Sequence, residues 1–589
     1  MLKGLILIPE RLRPLVPYLK RYWKHLAWGG VAVVLYNTIK VLLPLVIGHA
    51  IDDMQHGMTE SKVMHHALRL IVVAVLSAVF LYITRQVIIG ASREIEFDLR
   101  NDLFANLERQ PASFYHAHRT GDIMARTTND LNAVRQLLGP AIMYSANTLV
   151  FTAAALPFMY RISPRLTLFA VVPLPIASVI VQYFGARIHT RFERIQAMFS
   201  EISAKAQENF SGARLIRAFA QEEAEIAKFE TANLEYIKRS LYLVRLMAML
   251  WPTLEFVLGL SLMITLLVGG HEVIAHHISV GQFTSFNVYM VQLTWPMIAI
   301  GWVVNLFQRG TASVVRIDEL LKQVPAIQDD PLLVKVKEAI AGEIELRGLT
   351  FAYGNGPAVL KEIDLKIPAG SSLAVVGPTG SGKSTLVGLI ARLHDAKAGM
   401  VLIDGAPIRE YSLEALRKSI GFVPQETFLF STTIRQNIAF GAADASDERV
   451  QDAATVAHIR TEILEFPKGF DTVVGERGLT LSGGQKQRTS IARAVLRDPS
   501  ILILDDALAS VDTYTEEQIL GGLKRVMQGR TTVLISHRVS TARNADQIAV
   551  LADGRIVELG THDELIARNG YYTELFEKQM LEEELAVTG

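Results

Sequence analysis

Ser372-Leu373-Ala374-Val375-Val376 runs without a break into Gly377-Pro378-Thr379-Gly380-Ser381-Gly382-Lys383-Ser384-Thr385. The first five residues are a short apolar run bounded by glycine, which predicts a buried strand. Beyond the loop, Leu386, Ile390 and Leu393 recur at helical spacing and predict an amphipathic helix. Strand, glycine-rich loop ending in Lys-Ser, then helix is the pattern of a phosphate-binding loop. The glycines let backbone N–H groups turn inward around phosphate oxygens. Lys383 brings positive charge to the outer phosphates, Ser384 offers a hydroxyl to Mg²⁺, and the helix N-terminus adds its partial positive charge.

Ile501-Leu502-Ile503-Leu504-Asp505 reads as a second buried strand ending in a carboxylate. Alone, an apolar strand ending in Asp means little. Beside a phosphate loop, Asp505 is placed to hold Mg²⁺ directly or through water. Upstream, Glu343-Ile344-Glu345-Leu346 alternates like a strand, preceded by Val324-Pro325 and Asp329-Asp330-Pro331, which read as a linker. The predicted division is therefore 1–325, a linker at 326–342, and an α/β nucleotide-binding domain at 343–589.

The first half has a different composition. Six apolar stretches lie at roughly 26–48, 67–90, 137–160, 166–185, 246–270 and 282–306. Each has about the 20 residues needed to cross a hydrocarbon core of about 30 Å. Long buried helices of a soluble protein are the competing reading, and six stretches of this length argue against it. Arginines crowd the connection between the second and third stretches (Arg93, Arg100, Arg109, Arg119, Arg126, Arg135), while the first outer loop has Asp52, Asp53 and Glu60 against Lys62. The positive-inside rule then puts the N-terminus in the cytoplasm, and six spans return the C-terminal half there. Arg161 and Arg165, in the turn between the third and fourth stretches, oppose the rule. The two long inner connections, roughly 91–136 and 186–245, read largely as helix, so the spans are expected to continue into the cytoplasm.

The balance of charge, 59 basic against 59 acidic side chains, gives no field suited to nucleic acid. The absence of cysteine excludes disulfides, thiolate metal sites and cysteine nucleophiles. The 589-residue chain is 50% hydrophobic, in keeping with a membrane protein. No cleavable signal peptide is expected: the apolar run from Met1 to Pro9 is short, and its basic residues follow it.

Leu481-Ser482-Gly483-Gly484-Gln485-Lys486-Gln487-Arg488 resembles the signature motif of the ATP-binding cassette (ABC) family, and it is far more specific than a phosphate loop. The resemblance extends over nearly the whole chain and is nearest to bacterial multidrug-resistance-like half-transporters. It implies a type I exporter fold, six long transmembrane helices followed by the cassette, with ATP and Mg²⁺ as cofactors. It implies that Tyr353 stacks on adenine, that Gln425 senses Mg²⁺ and the membrane domain, and that His537 contacts the γ-phosphate. Asp512 matches the aspartate of the loop that crosses the dimer, and Glu476 in Val474-Gly475-Glu476-Arg477 matches an exporter motif facing the intracellular loops. Phe114-Tyr115 through Gly121-Asp122, and Gly212 to Phe219, resemble the two coupling helices. In the family two cassettes close head to tail, each ATP lying between one chain's phosphate loop and the other's signature. A second half-transporter is thus the implied partner, with a lipid bilayer and a small amphipathic substrate.

One residue departs from the family pattern. The Mg²⁺-binding Asp is usually followed by Glu, which polarises the attacking water; here Asp506 follows Asp505. Aspartate is one methylene shorter, and a misplacement of about 1 Å can cost on the order of 10²-fold. The expectation is a chain whose own site hydrolyses slowly, paired with a different half that keeps Glu and relies on Ser482, Gly483, Gly484 and Gln485 of this chain. The competing reading is a working homodimer that tolerates Asp506. A nucleotide-gated channel or regulator on the same scaffold is the alternative activity; a soluble cassette acting on nucleic acid is excluded by the spans.

Inside the spans, Lys40 and Glu255 are candidates to face a substrate cavity, against an interhelical pair; Arg85 is better read as snorkelling. Tyr289, Trp295 and Met297 either offer an apolar wall or face lipid. The histidines His65, His66, His271, His276 and His277 lack an evident carboxylate pattern and are read as solvated loop residues.

Overall fold

The computed structural model describes residues 9–588 except 331, 333, 335–338, 443, 476, 477, 479, 510 and 512. The chain forms two compact units. The first comprises Met1–Arg109 and His118–Gln323; the second comprises Val324–Gly589 together with Gln110–Ala117.

The first unit is helical. Its helices include α1 (Trp23–Gln55), α2 (Glu60–Glu108), α3 (Thr120–Ile162), α4 (Pro164–Val171), α5 (Pro173–Ser211), α6 (Ala213–Ala218), α7 (Glu222–Ile274) and α8 (Val280–Leu321), of which α4 and α6 are short. Among the described residues, α1, α2, α3, α7 and α8 are each long and apolar enough to cross a membrane. The fourth apolar stretch is shared between α4 and α5. Proline makes the division, not polarity: Pro173 and Pro175 lack the N–H groups that the carbonyls of residues 169 and 171 would accept. The helices run far past the hydrocarbon: 49 residues in α2 span about 74 Å at 1.5 Å per residue, against about 30 Å of bilayer core. Of the expected coupling segments, Gly212 to Phe219 holds the short helix α6, while Phe114 to Asp122 is not one helix: it runs from the short helix Ala112–Ala117, which clusters with the second unit, across a break into the first turn of α3.

Close packing joins α1 to α8. A Cβ on Gly48 would lie 2.0 Å from Ser285 Oγ and 2.5 Å from the Gly281 carbonyl, so only glycine admits this approach. Asp52 accepts from the Ser279 hydroxyl (2.6 Å) and the Gly281 N–H (2.7 Å), and the Tyr289 hydroxyl donates to the Val41 carbonyl (2.6 Å). Tyr289 is thus buried among Val41, Phe151 and Phe286, an interior residue, while Trp295 is exposed. Lys40 places its ammonium 4.8 Å from the Phe151 ring centroid and 5.7 Å from that of Tyr36, a cation–π arrangement within its own unit. Glu255 is exposed on α7.

The histidine expectation needs correction. His66 is buried, with Nε2 2.8 Å from Asp53 Oδ2, and His277 Nδ1 lies 3.0 Å from Glu272 Oε2. The short loop between α1 and α2 folds their ends together, and a pairing across a loop leaves no periodic trace in sequence. No cluster of three or more His, Asp or Glu that would suit a metal occurs among the described residues.

The second unit carries two sheets. The smaller has strands β1 (Ile344–Ala352), β2 (Ala358–Ile367), β4 (Val401–Ile403) and β5 (Ala406–Pro407) in the order β2-β1-β4-β5. The larger has β3 (Ser372–Val376), β6 (Ile420–Val423), β7 (Ile501–Asp505), β8 (Thr531–Ile535), β9 (Gln547–Ala552) and β10 (Arg555–Gly560) in the order β10-β9-β3-β8-β7-β6. Its inner pairings are parallel, from β9 through β3, β8 and β7 to β6, and β10 joins antiparallel. Parallel strands covered on both faces read as continuous apolar runs, as Ile501–Leu504 do. The helix after the phosphate loop, α9 (Lys383–Ile390), is not amphipathic as expected. It is buried nearly all round, with Leu386, Val387, Leu389 and Ile390 in the core that also holds Leu360 of β2 and Ile503 of β7.

Candidate active site

The functional residues gather where β3 and β7 end, outside the C-terminal edge of a parallel sheet, where such folds bind ligands. At Gly377 the chain leaves β3 with φ +148°, and a Cβ there would lie 2.1 Å from the Leu551 carbonyl oxygen. Pro378, Thr379 and Gly380 are exposed at the loop's crest, while Ser381 is buried with its Oγ unpartnered. Gly382 (φ +103°) stands at the N-cap of α9 and provides no side-chain cap, so the first N–H groups of the helix are left to a ligand.

Lys383 is 6% exposed, and its ammonium donates to the carbonyls of Gly377 (2.8 Å) and Pro378 (2.9 Å). Burial holds its pKa below the ordinary lysine value, opposed by the carboxylates of Asp506 and Asp505. Ser384 Oγ donates to Asp505 Oδ1 at 3.0 Å. Burial raises the Asp505 pKa, against the Ser384 hydrogen bond. A hydroxyl and a carboxylate already in contact make an oxygen donor pair of the kind that hard divalent cations take, so these residues fit Mg²⁺. Tyr353 is 47% exposed, and its hydroxyl meets Thr385 Oγ1 at 2.9 Å. Phe351 and His394 brace that ring edge-on at 5.0 and 5.1 Å.

Asp506 adopts φ +49°, a left-handed conformation that Asp tolerates better than most residues. Its N–H donates to the Ile535 carbonyl (3.1 Å), and its Oδ2 lies 3.9 Å from His537 Nε2. Gln425, two residues past β6, is exposed. Asp512 and Glu476 lie outside the described residues.

The signature residues form a second cluster at the start of α10 (Gly483–Leu496). Ser482 and Gln485 make a reciprocal capping box: Ser482 Oγ accepts from the Gln485 N–H (3.2 Å), and Gln485 Oε1 accepts from the Ser482 N–H (3.0 Å). Because Ser482 Oγ serves the cap as an acceptor, its hydroxyl proton remains a donor. No hydrogen bond among the described residues joins this cluster to the Lys383 loop. Two contacts were not evident in sequence. Glu462 takes both guanidinium arms of Arg488 (2.6 and 3.0 Å) and the Gln485 amide (3.0 Å), and Gln487 Nε2 donates to the Asp506 carbonyl (3.5 Å). Arg488 and Gln487 lie in the quoted motif, but their partners sit 26 and 19 residues away.

Comparison with known proteins agrees with this geometry. Residues 26–297 match the family described as ABC transporter transmembrane region, and residues 360–509 match the ABC transporter family. The probable multidrug resistance ABC transporter ATP-binding/permease protein YheI of Bacillus subtilis is 35% identical over 97% of this chain and 98% of its own length. The multidrug resistance-like ATP-binding protein MdlA of Escherichia coli is 35% identical over 96% of each chain. The ATP-dependent lipid A-core flippase of Syntrophus aciditrophicus is 36% identical over 94% of this chain and 92% of its own. Among solved structures, a bacterial Atm1-family ABC exporter with ATP bound matches with a TM-score of 0.76 and 27% identity, over 95% of this chain and 99% of that one.

Proposed function

This chain belongs to the ABC transporters, an exporter half with its own membrane region and transport ATPase that pairs with another half in the membrane, and from that premise we propose that it exports an amphipathic compound or lipid as the hydrolytically slower half of a heterodimer. The substrate class follows the relatives named for multidrug resistance and for lipid A-core flipping. The membrane is the cytoplasmic one, with the N-terminus and the cassette on the inner side, and the domains divide at 1–325, 326–342 and 343–589.

In this reading Tyr353 stacks on adenine. The backbone from Gly377 to Gly382 cradles the phosphates, and Lys383 leaves its carbonyl partners for them, so its charge is spent on ligand and not on the loop. Ser384, Asp505 and Gln425 hold Mg²⁺, which when bound neutralises phosphate charge. His537 donates toward the terminal phosphate. Asp506 stands in the place of the water-orienting Glu, short by one methylene. Ser482, Gly483, Gly484 and Gln485 close over the nucleotide held by the partner half, with the Ser482 hydroxyl and the first N–H groups of α10 directed at phosphate oxygen.

The observation carrying the proposal is that a signature helix with an intact capping box and a carboxylate one methylene short occur on the same chain. The test is ATPase activity of this chain alone in lipid, with Lys383→Ala as background. We expect activity at background, restored by a partner half. Activity well above background would establish a working homodimer.

A further inference from the structure

The last helix of the cassette, α11 (Tyr571–Thr588), reaches the segment that carries His537. Tyr572 is fully buried on it, its hydroxyl 2.8 Å from His562 Nδ1, and Leu575 and Phe576 pack with Val376, Val539 and Ala542. Seven residues past Tyr572, on the same helical face, stands Gln579. Its amide is used at both ends: Nε2 donates to the backbone carbonyl of His537, and Oε1 accepts from the backbone N–H of Val539 at 2.7 Å.

The rest of this segment is also held by side chains. Ser536 Oγ accepts the Arg538 N–H (2.9 Å) and donates to the Arg538 carbonyl (3.1 Å). Glu516, 4% exposed, takes both the Arg538 guanidinium and the Thr541 hydroxyl. His537 follows the last residue of β8 by two and precedes the four-residue helix Val539–Ala542. Its own ring is 40% exposed, with Asp506 3.9 Å away. The aim of the ring is therefore set by its backbone, and Gln579 spans that backbone across two peptide groups. A neutral primary amide both donates and accepts at one terminus, as these two groups require.

We propose that Gln579 is a positioning residue for His537, so that recognition of the terminal phosphate depends on α11 being docked. This rests on the reading of His537 as the terminal-phosphate contact. ADP lacks that phosphate, so losing the clamp weakens ATP and spares ADP.

The experiment uses the full chain in lipid nanodiscs, with displacement of a fluorescent nucleotide by ADP and by the β,γ-imido analogue of ATP. Gln579→Ala and the near-isosteric Gln579→Glu, which keeps the acceptor for Val539 but loses the donor to His537, are compared with His537→Ala. We expect each to weaken the ATP analogue about tenfold, the scale of one hydrogen bond to a charged group. ADP affinity stays unchanged, and combining either Gln579 change with His537→Ala adds no further loss. If His537→Ala shifts the ATP-to-ADP ratio and the Gln579 variants do not, the clamp is refuted and the site reading stands. Equal weakening of both nucleotides by the Gln579 variants would assign the glutamine a purely structural part and likewise refute the proposal. If His537→Ala leaves the ratio unmoved, the site reading falls and the proposal with it.

Discussion

The cassette presents two helix N-termini suited to phosphate, and they are built in opposite ways. At α9 the N-cap is Gly382 in the left-handed region with no side-chain cap, and the nearby ammonium of Lys383 rests on the loop's own carbonyls. At α10 the capping box of Ser482 and Gln485 closes the helix on itself, and Glu462 ties it down through Arg488 and Gln485. An uncapped end leaves its donors for a ligand, whereas a capped end is rigid before any ligand comes. The first suits a site that gathers nucleotide in its own chain. The second suits a preformed lid delivered to another chain, needing no rearrangement when two halves meet.

The two helix ends should differ most in the assembled transporter. If the hydrolysing site is the one roofed by this chain's signature, Ser482→Arg lowers ATPase by about 10²-fold or more, the scale of removing a preorganised donor at a developing charge. Lys383→Ala, in the slow site, costs less than tenfold. Steady-state ATPase of the two complexes decides it: equal losses would mean two equivalent sites and end the asymmetry.

How far this asymmetry could be read in sequence depends on what each feature needs. Phosphate loop and signature are contiguous, and their chemistry is carried by residue types at fixed spacing, so Gly377–Thr385 and Leu481–Arg488 were legible at once. The spans were legible because about 20 apolar residues mean the same thing wherever they occur. What escaped is tertiary. The burial of α9 on nearly every side could not be seen from three leucine-type positions, because the residues between them, Val387 and Leu389, are buried in a core shared with strands of both sheets. The break at Pro173 looked like a continuous span, since hydropathy does not register a missing N–H. The pairing of His66 with Asp53 and of Glu462 with Arg488 depends on chain paths that bring residues 13 and 26 positions apart together.

Asp506→Glu restores the missing methylene within the same left-handed turn, and in the assembled transporter the ATPase of this chain's own site is expected to rise by up to about 10²-fold over wild type. The measurement is ATPase of the lipid-reconstituted complex, with Lys383→Ala subtracted. No rise would mean that the shorter carboxylate is not what limits this site, and the slow half would have to be explained by its partners and not by its length.

The smallest expected effect concerns the rigidity of the lid. Glu462 is pushed up by burial, but the hydrogen bonds from Arg488 and Gln485 outweigh this and leave its pKa below the ordinary 4.5. A carboxylate whose folded pKa is depressed adds stability that is fully present above the unfolded value and is lost as pH falls through the folded one. Glu462→Gln removes that contribution. With the Glu462 side chain 36% exposed, solvent screening limits it to about 1 kcal/mol or less. The thermal midpoint of the variant should therefore lie slightly below wild type at pH 7, with the gap narrowing once the pH drops below about 4.5. A gap that widened on acidification would mean the carboxylate is destabilising where it stands, and the signature helix would owe its fixed position to the Ser482 cap alone.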